Sequence, residues 1–256
     1  MSPALRLPAR GATELPPIGT WLKIPTTEPT EIMAFAGFDF VIVDLEHAPL
    51  TLETAYRLIN LAVLAGVSPL VRVPDHGAST IQRVLDAGAH GILVPHVDSV
   101  ADAEAVTRAA RFPPRGRRGS GGTSRAGQWG LRPTADYLSF GNDQALCIAQ
   151  LESREAVDRA ADILALDGID AVFVGAADLA LSLGVSPREP AVLDSIDQVI
   201  KAAAAAGKSC GLAFGADPAA GARAVADGAG FVVLSNDTSL LATAARNLVS
   251  AYRAAT

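Results

Sequence analysis

The chain has 256 residues, half of them apolar, with two cysteines and a net charge of −6. That length and apolar content suit one large core, and about 250 residues is typical of a single (β/α)8 barrel. The acidic balance and the lack of clustered Lys or Arg argue against nucleic acid or an anionic membrane surface as the main partner, which leaves small molecules.

Met1 to Gly11 carries Pro and Arg but not the apolar core of a signal peptide, and no run reaches the roughly 18 apolar residues of a membrane span. Residues 1–15 read as an irregular leader. Ile18 to Ile24 is predicted as a first strand, and a helix opening at Pro25–Pro29 runs to about Ala36, closed by Gly37. Phe38 to Val43 is the second strand, rich in β-branched residues as a parallel strand buried on both faces is. It ends abruptly in Asp44, Glu46, His47 and Pro49. Thr51 as N-cap and Glu53 in the first turn start a helix to Ala65, with Gly66 as its C-cap. Strands follow at Ser68–Val73 and His90–Pro95, separated by a helix from about Ser79 to Ala87.

Ser99 opens a helix to about Ala110. Phe112 to Asp136 is then the one long irregular segment, with six glycines among Arg115, Arg117, Arg118, Arg125 and Arg132, and loops of this length are usually functional. Leu146–Glu152 and Asp170–Gly175 are the fifth and sixth strands, joined by a helix from Ser153 to Leu166. A short helix starts at Ala176, and after a Pro-rich turn at Pro187–Pro190 another runs to Gly207. Ser209–Phe214 is the seventh strand, Asp217 and Pro218 cap and open its helix, Gly230–Ser235 is the eighth, and a last helix spans about Thr238 to Ala251. Eight strand–helix units without a break in composition predict one α/β domain over 1–256, a single (β/α)8 barrel in which 112–136 is an active-site or interface loop. A seven-unit or open-sheet arrangement is the alternative.

In a barrel, catalytic groups gather where the strands end at their C-termini. There the sequence puts Asp44, Glu46 and His47 after strand two, Arg72 in strand three, Gln150 and Glu152 at the end of strand five, Gly175 and Asp178 after strand six, and Asn236 and Asp237 after strand eight. Arg72, between two valines, needs a partner inside an apolar barrel. Either it closes the barrel top by a salt bridge to Asp44 or Glu46, or its planar fork of donors takes a carboxylate or enolate oxygen. Glu152 and Asp178 either cap the helices that follow or, having no lysine beside them, hold a divalent cation. The small residues of Gly175–Asp178 at a helix start offer backbone N–H groups to an anion. His76, His90 and His96 lack metal-ligand spacing and read as loop or strand-end residues. Cys147 and Cys210 lie in apolar runs without a C-x-x-C spacing, so buried reduced thiols and a cytoplasmic setting are expected.

Ordered along the chain, Gly19-Thr-Trp21, Gly37-Phe-Asp39, Asp44-x-Glu46-His47-Ala-Pro49, Val71-Arg-Val-Pro74, Leu85-Asp-x-Gly88, Leu93-Val-Pro95, Phe112-Pro-Pro-x-Gly-x-Arg-Gly119, Gln150-x-Glu152 and Gly175-x-Ala-Asp-Leu179 resemble the HpcH/HpaI aldolase family. These are class II metal-dependent pyruvate aldolases, among them 4-hydroxy-2-oxoheptanedioate and 2-dehydro-3-deoxyglucarate aldolases. The resemblance implies a carbon–carbon lyase that reversibly cleaves 4-hydroxy-2-oxo acids to pyruvate, formed through its enolate, and an aldehyde. It implies Glu152 and Asp178 as ligands of Mg2+, Mn2+ or Co2+, with pyruvate chelating that ion. Arg72 would meet the keto or enolate oxygen, Gln150 would lie near the pyruvate, and the Gly175, Ala177 and Asp178 segment would take its carboxylate. His47, paired with Asp86, would move protons, while Asp44 and Glu46 would support Arg72 and water. A homohexamer built as a trimer of dimers is the implied assembly. The chain departs from the family where Ala176 replaces a common proline and Leu45 a common glycine, which bears on the acceptor pocket more than on the reaction.

Three alternatives compete. A lyase of the citrate lyase β or malyl-coenzyme A type would need a basic nucleotide-binding surface, for which Arg115 to Arg132 is the candidate. A Schiff-base aldolase would need a rim lysine, and of Lys23, Lys201 and Lys208 only Lys23 is placed for it. A non-catalytic small-molecule-binding barrel would retain the shape without turnover.

Overall fold

The computed structural model describes residues 5, 7 and 15–255, so most of the expected leader lies outside the described residues. Strands β1 (Ile18–Leu22), β2 (Phe40–Asp44), β3 (Ser68–Arg72), β4 (Gly91–Val94), β5 (Leu146–Leu151), β6 (Ala171–Val174), β7 (Ser209–Phe214) and β8 (Phe231–Asn236) pair in chain order, all parallel. β8 returns to pair with β1 and closes the barrel. The expected (β/α)8 architecture is the one observed.

Two apolar layers follow from the alternation of side chains along each strand. Phe40, Ile42, Leu70, Leu93, Ile148, Phe173, Phe231 and Val233 fill the barrel interior, and the alternate residues Val41, Val43, Val71, Ile92, Cys147, Val172 and Val232 face the helices. Room for the large inner rings comes from glycine on a neighbouring strand: a Cβ on Gly19 would run into the Phe40 ring, and one on Gly211 into that of Phe231. The inward parity of β2, β3 and β5 continues upward into Asp44, Arg72 and Gln150. The polar rim is thus the top layer of the same stack.

The helices are α1 (Glu28–Phe35), α2 (Leu52–Ala65), α3 (Ala78–Asp86), α4 (Val100–Ala110), α5 (Thr134–Ser139), α6 (Arg154–Asp158), α7 (Ala160–Leu164), α8 (Ala176–Leu183), α9 (Pro190–Ala205), α10 (Pro218–Ala226) and α11 (Asp237–Ala255). The Thr51 hydroxyl accepts the Thr54 N–H, and Gly66 ends α2 in the left-handed region at φ 87°. Where one helix was expected over 153–166 there are two, because Arg159 at φ −99°, ψ 2° breaks the run. The long irregular segment ends in helix α5, which the sequence did not reveal. Only the first residue of α11 is buried, and Leu241, Leu248 and Val249 on it are exposed.

Candidate active site

β1, β3, β5, β6, β7 and β8 together enclose a cavity of about 230 Å³ at the C-terminal mouth of the barrel. Arg72, Gln150, Gly175, Ala177 and Asp178, five residues singled out from the sequence, line it together with Trp21, Lys23, Phe173 and Asn236.

Asp44 and Arg72 are side by side at the ends of paired strands. Arg72 donates from Nε to Asp44 Oδ1 at 2.9 Å and from Nη2 to Oδ2 at 2.8 Å, and its Nη1 lies 3.0 Å from Glu46 Oε2. Its guanidinium also stacks 4.3 Å from the Trp21 ring centroid. Arg72 is therefore salt-bridged, as the first of its two readings expects, and it also lines the cavity. Burial pushes the fully enclosed Asp44 carboxyl up, but Arg72, the His47 N–H and Lys23 outweigh that and hold it below the usual carboxylate range. Lys23 Nζ sits 3.1 Å from Asp44 Oδ2, an ion-paired amine rather than a free nucleophile.

Glu152 is 4% exposed, just past β5. Its Oε1 accepts the Gln150 amide, and its Oε2 accepts the His96 N–H at 3.0 Å. Burial raises its carboxyl above the ordinary value, and the charge of Asp178 adds to the rise against the lowering effect of His96 and Gln150. Neither acid caps a helix: Ser153 caps α6, and Gly175 occupies the cap of α8. Gly175 is required there, since a Cβ would lie 2.5 Å from Glu152 Oε1. Two acids, one of them buried with its carboxyl raised chiefly by that burial, together with a buried Gln150 Oε1 that has no hydrogen-bond partner, form an oxygen-rich set suited to a hard divalent ion. Among the described residues no three His, Cys, Asp or Glu side chains form a ready-made cluster, so remaining ligands would come from substrate and water.

His96 is the residue that the sequence hid. It follows Pro95 with a left-handed backbone at φ 52°, and this turns its ring between two acids, Nδ1 3.2 Å from Glu152 Oε2 and Nε2 3.5 Å from Glu46 Oε1. Its spacing predicts only an ordinary strand-end histidine, with nothing that points to Glu46 or Glu152.

His47 stands at the rim, 57% exposed, with Nε2 3.7 Å from Glu46 Oε2. Its expected pairing with Asp86 does not form within one chain. Asp86 is the last residue of α3, which runs from the mouth back towards the opposite end of the barrel, and there it takes Arg118 Nη2 at 2.7 Å and the Tyr137 hydroxyl at 3.2 Å. Cys147 and Cys210 are free and buried, and burial pushes both thiols up to about 12.

The HpcH/HpaI aldolase/citrate lyase family model matches residues 18–244. The chain is 39% identical over 234 residues to 2-keto-3-deoxy-L-rhamnonate aldolase of Klebsiella pneumoniae, covering 90% of this chain and 85% of that one. It is 38% identical over 239 residues to hydroxypyruvate/pyruvate aldolase of Cupriavidus necator, covering 92% and 88%. A crystal structure of an HpcH/HpaI aldolase from Desulfitobacterium hafniense superposes with a TM-score of 0.89 at 34% identity, covering 93% of each chain.

Proposed function

The chain belongs to the HpcH/HpaI aldolase/citrate lyase family, and from that premise we propose that it reversibly cleaves 4-hydroxy-2-oxo acids to pyruvate and an aldehyde. The observation that carries this reading is the shared cavity, which sets Arg72 and Gln150 against the Gly175–Asp178 turn.

Glu152 and Asp178 would hold the divalent ion, Mg2+, Mn2+ or Co2+, beside Gln150, whose Nε2 donates to Glu152 Oε1. Bound there, such an ion supplies Lewis acidity that stabilises charge on a keto oxygen. The protein's own part is to bind and to place protons. The N–H groups at the start of α8 take the pyruvate carboxylate, where the helix dipole favours an anion. Arg72, fixed by Asp44, Glu46 and Trp21, directs its remaining N–H bonds to the oxygen that gains charge when a methyl proton leaves. His47, exposed at the rim, exchanges that proton directly or through water, work typically worth about 10² to 10⁴ in rate.

Asp86 keeps its assigned role only if a second copy presents it to His47, because the two lie towards opposite ends of one barrel. The exposed Leu241, Leu248 and Val249 of α11 support an oligomer, for which we favour the hexameric trimer of dimers. Two free buried thiols fit a cytoplasmic setting, and no described helix is long and apolar enough to cross a membrane. A coenzyme A lyase is less well supported: Arg115 is committed to Asp143 and Asp167, and Arg118 to Asp86, which breaks up the basic surface a nucleotide would need.

The test is exchange of pyruvate methyl protons in D2O, followed by NMR. Exchange is expected with Mg2+, Mn2+ or Co2+ and lost on chelation; undiminished exchange in chelator would rule out the ion's role. No exchange with any of the three metals would revive a non-catalytic barrel.

A further inference from the structure

His96 has no part in the binding and proton transfer assigned to Arg72 and His47, yet it is held in a backbone state that an exposed residue has no packing reason to keep. Its φ of 52° is left-handed, and its side chain is 61% exposed. Such strain persists only where the surroundings over-determine it. Resting on the divalent ion proposed at Glu152 and Asp178, we propose that His96 is a positioning residue: it occupies one oxygen of Glu152, so that the other alone faces the ion.

Three contacts fix the turn after β4. The His96 N–H donates to Glu152 Oε2 at 3.0 Å. Before it, the Pro95 carbonyl accepts from His76 Nε2 at 2.8 Å, and after it the Val97 N–H donates to the Gln150 carbonyl at 3.2 Å. The turn is thereby pinned both to β5 and to the segment between β3 and α3. Held this way, the ring stands between two acids, Nδ1 3.2 Å from Glu152 Oε2 and Nε2 3.5 Å from Glu46 Oε1. The other oxygen of Glu46 meets Arg72, so the ring is wedged between the Arg72 ion pairs and Glu152.

A carboxylate oxygen has about two acceptor sites. At Glu152 Oε2 His96 meets both, one with its N–H and one with its ring. Oε1 accepts the Gln150 amide and, among the described residues, nothing else; it is also the oxygen beside Gly175. The open site on Glu152 therefore lies towards the Gly175–Asp178 turn, where the second acid is. Since no three His, Cys, Asp or Glu side chains among the described residues converge on one point, the ring stands behind Glu152 and not beside the ion. Partners that orient a ligating carboxylate in this way typically strengthen metal binding about 10- to 100-fold.

His96→Asn and His96→Gly isolate the ring, because both residues accept a left-handed backbone and keep the N–H that meets Glu152. Calorimetric titration of the full chain with Mg2+, Mn2+ and Co2+ is the measurement, and it needs no turnover. Both variants should bind all three ions about tenfold more weakly, by a similar factor for each, while the metal-free proteins melt within a few degrees of wild type. Affinities within about twofold of wild type would overturn the role of His96 and leave the ion and the aldolase intact. A loss that grows steeply from Mg2+ to Co2+ would overturn it in another way, by showing the ring to be a nitrogen ligand. A wild type that binds none of the three ions would overturn the positioning role together with the ion on which it rests.

Discussion

Replacing Arg72 by methionine removes three charged contacts at once and leaves two acids behind. Asp44 is fully buried, and Glu46 Oε2 is also shielded from solvent. Removing one partner of a buried ion pair typically costs about 3–5 kcal/mol, because the survivor stays desolvated. Lys23 and the N–H groups of Glu46 and His47 still meet Asp44, which puts Arg72→Met at the lower end, about 3 kcal/mol. For a domain of this size that corresponds to roughly 6–10 °C in Tm. The same change should lower kcat about 10²- to 10³-fold, as loss of one oxyanion donor does. Urea unfolding and thermal melts measure the first effect, and steady-state retro-aldol kinetics the second. Asp44→Asn in the same chain supplies the internal check: an amide in place of the carboxylate leaves no buried charge at that position, so the double variant should be at least about 1 kcal/mol more stable than additivity requires. A loss below about 1 kcal/mol in Arg72→Met, or strict additivity, would refute the account of the mouth as a buried ion-pair network.

Burial holds the His90 imidazole down at about 4 against an ordinary 6.5, with the Arg125 charge adding to the effect. Above pH 6.5 the group costs nothing; as pH falls from 6.5 towards 4 the unfolded chain takes up a proton that the folded one refuses, so stability declines by up to roughly 3 kcal/mol and then levels off. Urea unfolding at about pH 7 and about pH 5 should show the fall, and His90→Gln should flatten it; a wild type equally stable at both would contradict it. Gly175→Ala would place a methyl 2.5 Å from Glu152 Oε1, so Mn2+ affinity measured by calorimetry should drop by about tenfold or more. Unchanged affinity would remove Glu152 from the metal site.

Much of this molecule was legible because its strands are short, apolar and punctuated. Gly66 and Thr51 ended and began α2 as expected, and all eight strands fell within a residue or two of their predicted places. The break at Arg159 and helix α5 were not visible, since no Gly or Pro marks the first and the second is a short, locally weak helix that begins directly after Pro133. In the site, the rule that polar residues collect at strand ends found Arg72, Gln150 and Asp178, which share the cavity. What that rule lacks is any measure of which rim residue faces which.

Asp86, His96 and Lys23 show the three ways in which that measure matters. A motif can identify Asp86 as worth noticing, yet the direction of α3 carries it away from His47. His96 gains its contacts from one left-handed residue after a proline, a backbone state that histidine rarely adopts and that no local pattern announces. Lys23 is placed by Asp237, more than two hundred residues later in the chain, which reaches across only because β8 closes on β1. Inward parity was available all along: Phe40, Ile42 and Asp44 alternate up one strand, and Ile148, Gln150 and Glu152 up another. Read that way, the carboxylates belong to the top layer of the barrel interior, and their cost in that layer is what makes Arg72, Lys23 and a bound ion necessary.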